Sequence, residues 1–112
     1  MVKPLAAMLD VVAVLEGGKR VEVTATIRPP YEADDGQWIA RVQVKPLRGA
    51  PLDVRGVDSF HALWLACSLV LKMLSELKSG GARLESPDGS EFPLEGYLRG
   101  LEPDSPPKPL PE

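Results

Sequence analysis

Between Asp58 and Ser79 the chain runs for six helical turns without a glycine or a proline, and both ends of that run carry boundary signals. Asp58 and Ser59 are short polar side chains able to accept from the free N–H groups of a first turn. Lys72 and Lys78 suit a helix C-terminus, and Gly80-Gly81 supplies a backbone that can turn left-handed. The pattern predicts a helix over 58–79. Projected at about 100° per residue, Phe60, Leu63, Trp64, Ala66, Cys67, Val70, Leu71, Met73, Leu74 and Leu77, with Ala62 and Leu69 at one margin, cover an arc of roughly 220°. That is about twice the ~100° stripe needed to lie on one sheet face. The polar strip left over holds His61, Ser68, Lys72, Ser75 and Glu76, with Leu65 inside it. Something besides one small sheet must therefore cover the flank, either the C-terminal segment of the chain or another molecule.

What precedes the helix reads as strands. Residues 9–16 are β-rich and end at Gly17-Gly18, a turn dipeptide. Beyond it, Val21, Val23, Ala25 and Ile27 alternate with Arg20, Glu22, Thr24, Thr26 and Arg28, the period of a half-buried strand. Pro29-Pro30 ends that strand, because proline has no N–H for a ladder, and 31–36 reads as an acidic surface loop. Alternation returns over 37–45, with Trp38, Ala40, Val42 and Val44 inward and Gln37, Ile39, Arg41, Gln43 and Lys45 outward. After a turn at 46–51, Leu52 and Val54 against Asp53 and Arg55 mark a short fourth strand leading into the helix.

A run of strands followed by a helix favours an α+β fold, an antiparallel meander of three to four strands packed by one long helix. Beyond Gly81, Pro87-Asp88-Gly89 predicts a turn between 83–85 and 91–94, a small C-terminal hairpin. Leu94, Tyr97, Leu98 and Leu101 are spaced to lie on the uncovered helix flank. The single domain is expected to span 1–101. Residues 102–112, where five of the last ten residues are proline, have too little to bury to order themselves.

Composition removes several functions. With 16 acidic against 13 basic residues and no basic run, nothing predicts a nucleic-acid partner. The hydrophobic segment 62–71, ten residues long, is short of the ~20 residues that span a bilayer, and 1–8 makes a poor secretory signal, so no membrane association is expected. A single cysteine fits a reducing cytoplasm.

Reactive chemistry is equally thin. His61, the only histidine, shares its face with Leu65, Ser68 and Lys72, none a metal ligand or general base for it. Cys67 falls inside the apolar arc, where a thiol is inert. Glu32, Asp34 and Asp35 crowd the 31–36 loop without the spacing of a calcium loop. No phosphate loop, dinucleotide fingerprint or nucleophile elbow occurs, so no catalytic, cofactor-binding or metal-binding residue is assigned. Trp38 is expected in the core. The candidate interface is Phe60, Trp64, Leu71 and Leu65.

The segment reading W-I-A-R-V-Q-V and then V-R-G-V-D-S-F-H-A-L-W-L-A resembles a group of small bacterial proteins of unknown function, in which a Trp-bearing strand precedes a G-x-D-S-x-x-A-L-x-L-A helix start. It also resembles, more weakly, HicB-type antitoxins, whose strands lead into a helix through a Gly-Asp-Ser/Thr turn followed by alanines. Here Ser59-Phe60-His61-Ala62 replaces that family's acidic helix start, and no DNA-binding appendage follows. The first likeness implies a shared fold, the second toxin neutralisation. The expected function is a non-enzymatic protein-interaction module, pairing with itself or with another protein. The alternative is a small-molecule binder or enzyme with a pocket between sheet and helix.

Overall fold

The computed structural model describes residues 4–99. The helix, α1, spans Ser59–Ser79 and is capped as its sequence requires. Asp58, in an extended conformation, accepts the His61 N–H on Oδ1 at 2.7 Å, and His61 returns the contact by accepting the Val57 N–H on Nδ1 at 3.1 Å. At the other end Gly81 N–H donates to the Lys78 carbonyl and Ala82 N–H to that of Leu77, the paired bonds of a Schellman stop. Gly81 makes that closure possible with φ +107°, a conformation that L side chains rarely adopt. Asp58→Ala should cost about 1 kcal/mol by leaving first-turn donors without their carboxylate, readable as a lower midpoint in urea at an unchanged m-value.

The sheet is larger than the sequence pattern indicates. Five strands, β1 (Ala7–Val14), β2 (Arg20–Ile27), β3 (Tyr31–Glu32), β4 (Trp38–Lys45) and β5 (Leu52–Gly56), precede the helix, and β6 (Arg83–Glu85) follows it. All pairings are antiparallel, with β6 beside β1, β1 beside β2, β2 beside β4 and β4 beside β5. Two expectations are corrected here. Tyr31 and Glu32, read as loop, resume pairing with β4 opposite Ile39 and Trp38, because Pro29-Pro30 interrupts the edge without turning it away. The predicted C-terminal hairpin is present, its turn closed by Ser86 N–H on the Ser90 carbonyl, but its first strand joins the main sheet instead of standing apart.

One face of the sheet carries the core. Val11, Ala13, Val23, Ala25, Ile27, Ala40, Val42 and Val44 pack against Ala62, Ala66, Val70, Leu71 and Leu74 of the helix, in β2 and β4 as the alternation predicts. The helix lies chiefly over β4 and β5. Near its start the contact is backbone to backbone: Gly56 is buried and faces the Ala62 backbone so closely that a Cβ there would lie 2.4 Å from the Ala62 nitrogen. Ala40, Ala62 and Ala66 are fully buried around that approach. Ile39, read as outward, is buried too, on the opposite face, where Tyr31 and Arg55 stand directly across from it. Val14 is buried on that face as well, and the rest of it is wet and carries Arg41 on Asp53, Arg20 and Arg83 on Glu85, and Thr24 donating to Asp10.

A short helix, α2 (Leu94–Arg99), closes the described chain. Leu94 is buried and Leu98 packs on the core, so this segment does lie against α1 as the spacing of Leu94, Tyr97 and Leu98 suggests. Leu101 and the proline-rich 102–112 lie outside the described residues. Although α1, at 21 residues, is long and apolar enough to cross a bilayer by composition, contrary to the ten-residue count above, here its small-residue stripe is covered by the sheet.

Candidate interaction face

Five apolar positions of the helix are buried, Ala62, Ala66, Val70, Leu71 and Leu74. They form a stripe that a sheet can cover, and the excess apolar arc divides to either side of it. Phe60 is 78% exposed and Trp64, one turn on, is 46% exposed. Cys67 and Leu71 continue that line along the same flank, at i+7 and i+11 from Phe60. Leu65 is half-buried on the far side of the helix, so the structure brings Phe60, Trp64 and Leu71 onto one flank and leaves Leu65 off it. Leu71 is itself buried, supplying floor more than contact surface.

The geometry beside Leu71 explains why. The helix passes from Gly56, at the end of β5, toward the β1–β2 turn, where its last residues share a cleft of about 500 Å³ with Leu15, Leu47 and Ala82, rimmed by Glu16 and Glu76. Such an oblique path leaves the opposite corner of the sheet uncovered. There a cleft of about 210 Å³ opens between Leu9, Ala25 and Ile27 on the sheet, Cys67, Val70 and Leu71 on the helix, and Tyr97 of α2. Tyr97 stacks on Phe92 with ring centroids 5.1 Å apart, which holds one ring face as the cleft wall. Met8, 58% exposed, also lines it, and Leu5, three residues earlier in the chain, is exposed too. Sequence reading missed Met8, Leu5 and Tyr97 as surface. The available signal was Leu5-Ala6-Ala7-Met8-Leu9, five apolar residues with no charge among them.

The face has no reactive group. Burial raises the Cys67 thiol above its usual range, so it stays protonated at neutral pH. His61 sits at the helix start, occupied with capping. Among the described residues no polar or charged side chain is buried, and no three His, Cys, Asp or Glu side chains gather to hold a metal. Of the loop carboxylates, Asp35 accepts the Gln37 N–H at 3.0 Å and lies 3.6 Å from Arg55. The carboxylates displaced from ordinary values are structural. Asp53 is held low by its hydrogen bond from Arg41 and Glu85 by its bonds from Arg83 and then Arg20, both on the wet face, and Asp88 by its bonds from Ser90 in the hairpin turn.

Residues 11–94, about three-quarters of the chain, match the family model described as a domain of unknown function, DUF6968. The chain belongs to this family. The matched DUF6968 segment takes in the core sheet, all of α1 and the C-terminal hairpin, and stops short of Tyr97 and of the first four residues of β1. An unknown-function family was the first likeness drawn from the sequence. No curated protein and no solved structure matches the chain.

Proposed function

We propose that this domain is a non-enzymatic protein-interaction module that docks through the apolar flank of α1. The observation that carries the reading is Phe60 and Trp64, two large aromatic side chains exposed one turn apart beside a roofless apolar cleft. Large aromatics on rigid helices are the anchors that interfaces use. A core role does not account for them, because the buried stripe is complete without either. The expected setting is a reducing cytoplasm, where the single thiol of Cys67 stays free.

Affinity capture from the native cell extract, run with the full chain and with a Phe60→Ser/Trp64→Ser variant, tests it. The wild-type chain should retain a specific protein other than itself that the variant loses while melting within a few degrees of wild type. Equal retention by both, or none by either, overturns the proposal. An immunity or antitoxin form of the same module would add the Glu32, Asp34 and Asp35 loop against a basic toxin. The small-molecule alternative has the 500 Å³ cleft in its favour, where Glu16 and Glu76 rim an apolar floor suited to a cationic amphiphile. Loss of capture with the aromatic variant separates the two, since Phe60 and Trp64 do not line that cleft.

A further inference from the structure

The two edges of the sheet are unequal. β5 is guarded in the usual ways: Pro51 precedes it, Asp53 and Arg55 alternate along it, and it ends after five residues. β1 is covered by β6 only at Val12–Val14, and no described residue pairs with its first half on that side. The ladder identifies which groups are left open. Leu15 N–H donates to the Lys19 carbonyl, and bonded pairs in an antiparallel ladder alternate, so the odd residues of β1 aim their N–H and C=O at β2. The even ones aim outward. Val12 and Val14 meet Glu85 and Arg83 of β6, whereas Met8 and Asp10 have no described partner. Asp10 is the one charge on this open stretch, the five residues before it, Leu5-Ala6-Ala7-Met8-Leu9, carry none, and the apolar cleft opens directly against Ala7, Met8 and Leu9.

An open backbone edge over an apolar cleft is the pair of features that strand addition uses, hydrogen bonds from the edge and a pocket for alternate side chains. Resting on the interaction-module reading, we infer that the occupant is a second copy of this chain, its β1 laid antiparallel on the first about a two-fold axis through Leu9. Met8 of one copy then lies opposite Asp10 of the other, and each outward N–H and C=O of the two residues finds a partner. The two Leu9 side chains meet on the core face. Asp10 keeps its bond from Thr24 on the wet face, so no charge is buried and no two carboxylates stand opposed. Charge decides against the chain's own 100–112 segment as occupant. Glu102, Asp104 and Glu112 against Lys108 make it acidic, the edge's only charge is Asp10, and Leu101 and Leu110 are its only large apolar residues. Pro87, beside Asp10 and Val12, limits the seam to a few residues, which places the affinity on the order of micromolar.

Amide exchange of the full chain by NMR, across a dilution series and beside sedimentation equilibrium, tests the seam. Protection of the Met8 and Asp10 amides should rise with protein concentration in step with dimer. Met8→Lys should weaken association about tenfold or more while its melting curve stays that of the wild-type monomer. Protection independent of concentration would mean that the chain's own segment holds the edge, and no protection at any concentration would mean that nothing does. Either result overturns the inference. Dimerisation lost with Phe60→Ser/Trp64→Ser and kept with Met8→Lys also overturns it, while leaving the module reading intact; failure of that reading is recorded separately, by the capture experiment.

Discussion

Gly56→Ala is expected to destabilise the fold by about 3 kcal/mol and to lower Tm by about 12 °C, the largest effect of an alanine at any described glycine. A Cβ at Gly56 would sit 2.4 Å from the Ala62 nitrogen, 2.8 Å from its Cα and 2.9 Å from the His61 carbonyl carbon. All three are backbone atoms, so no rotamer change can relieve the contact, and the start of α1 must lift off the sheet. Lifting it pulls Ala62 and Ala66 away from Ala40 and strains the Asp58 cap two residues on. An opposing gain exists, since alanine restricts the unfolded chain more than glycine and stabilises by roughly 0.4–1 kcal/mol where it fits. Overpacking against fixed backbone exceeds that several-fold. Gly49→Ala is the internal comparison: it is exposed, an added Cβ would meet no atom within 4 Å, and its φ is not left-handed, so only the gain should register. Thermal melts of the two variants should move in opposite directions. A Gly56→Ala chain that melts with wild type would show that helix and sheet do not meet this closely.

The role of Gly56 marks a boundary of what the sequence discloses. Its neighbours were legible: Asp58 reads as a cap, Gly80-Gly81 as a stop, and the alternation of Val21-Val23-Ala25-Ile27 and Trp38-Ala40-Val42-Val44 names the inner face correctly, with Trp38 half-buried at its margin. These are signals local to one element, set by the period of its own backbone. Gly56 looks like punctuation between a strand and a helix, and its contact with Ala62 exists only once the helix has folded back. Tyr31-Glu32 was hidden for the same reason, because two residues after Pro29-Pro30 carry no period and their pairing is decided by β4. Ile39 has the outward phase of its strand and is buried by what lies across from it. Of the candidate interface, periodicity could say that the arc of α1 is too wide for one sheet. It could not say which part would stay bare, since that depends on the oblique course of the helix, and so it grouped Leu65 with Phe60 and Trp64 although they face apart.

Two substitutions on α1 turn that distinction into numbers. Leu74 is the largest fully buried side chain among the described residues, 1% exposed, in the same core cluster as Val11, Val23 and Val42. Leu74→Ala removes several methyl and methylene groups from an interior that has no polar side chain for water to bind, so the space stays empty and its lining loses contacts on one side. The expected cost is about 2–5 kcal/mol, in the upper half of that range because the sheet beneath the helix cannot collapse into the space, which lowers Tm by about 14–20 °C. Phe60→Ala removes a larger side chain, and it should change stability by less than about 0.5 kcal/mol, because 78% of that residue's surface already meets solvent. Urea titrations of both variants read the contrast, Leu74→Ala shifting the midpoint and Phe60→Ala leaving it in place. A phenylalanine that contributes nothing to the monomer costs solubility for no return within the fold, and its place on the helix is then accounted for by what binds there. Were Phe60→Ala instead to unfold the domain as Leu74→Ala does, that side chain would be part of the core, and the docking face would lose its leading anchor.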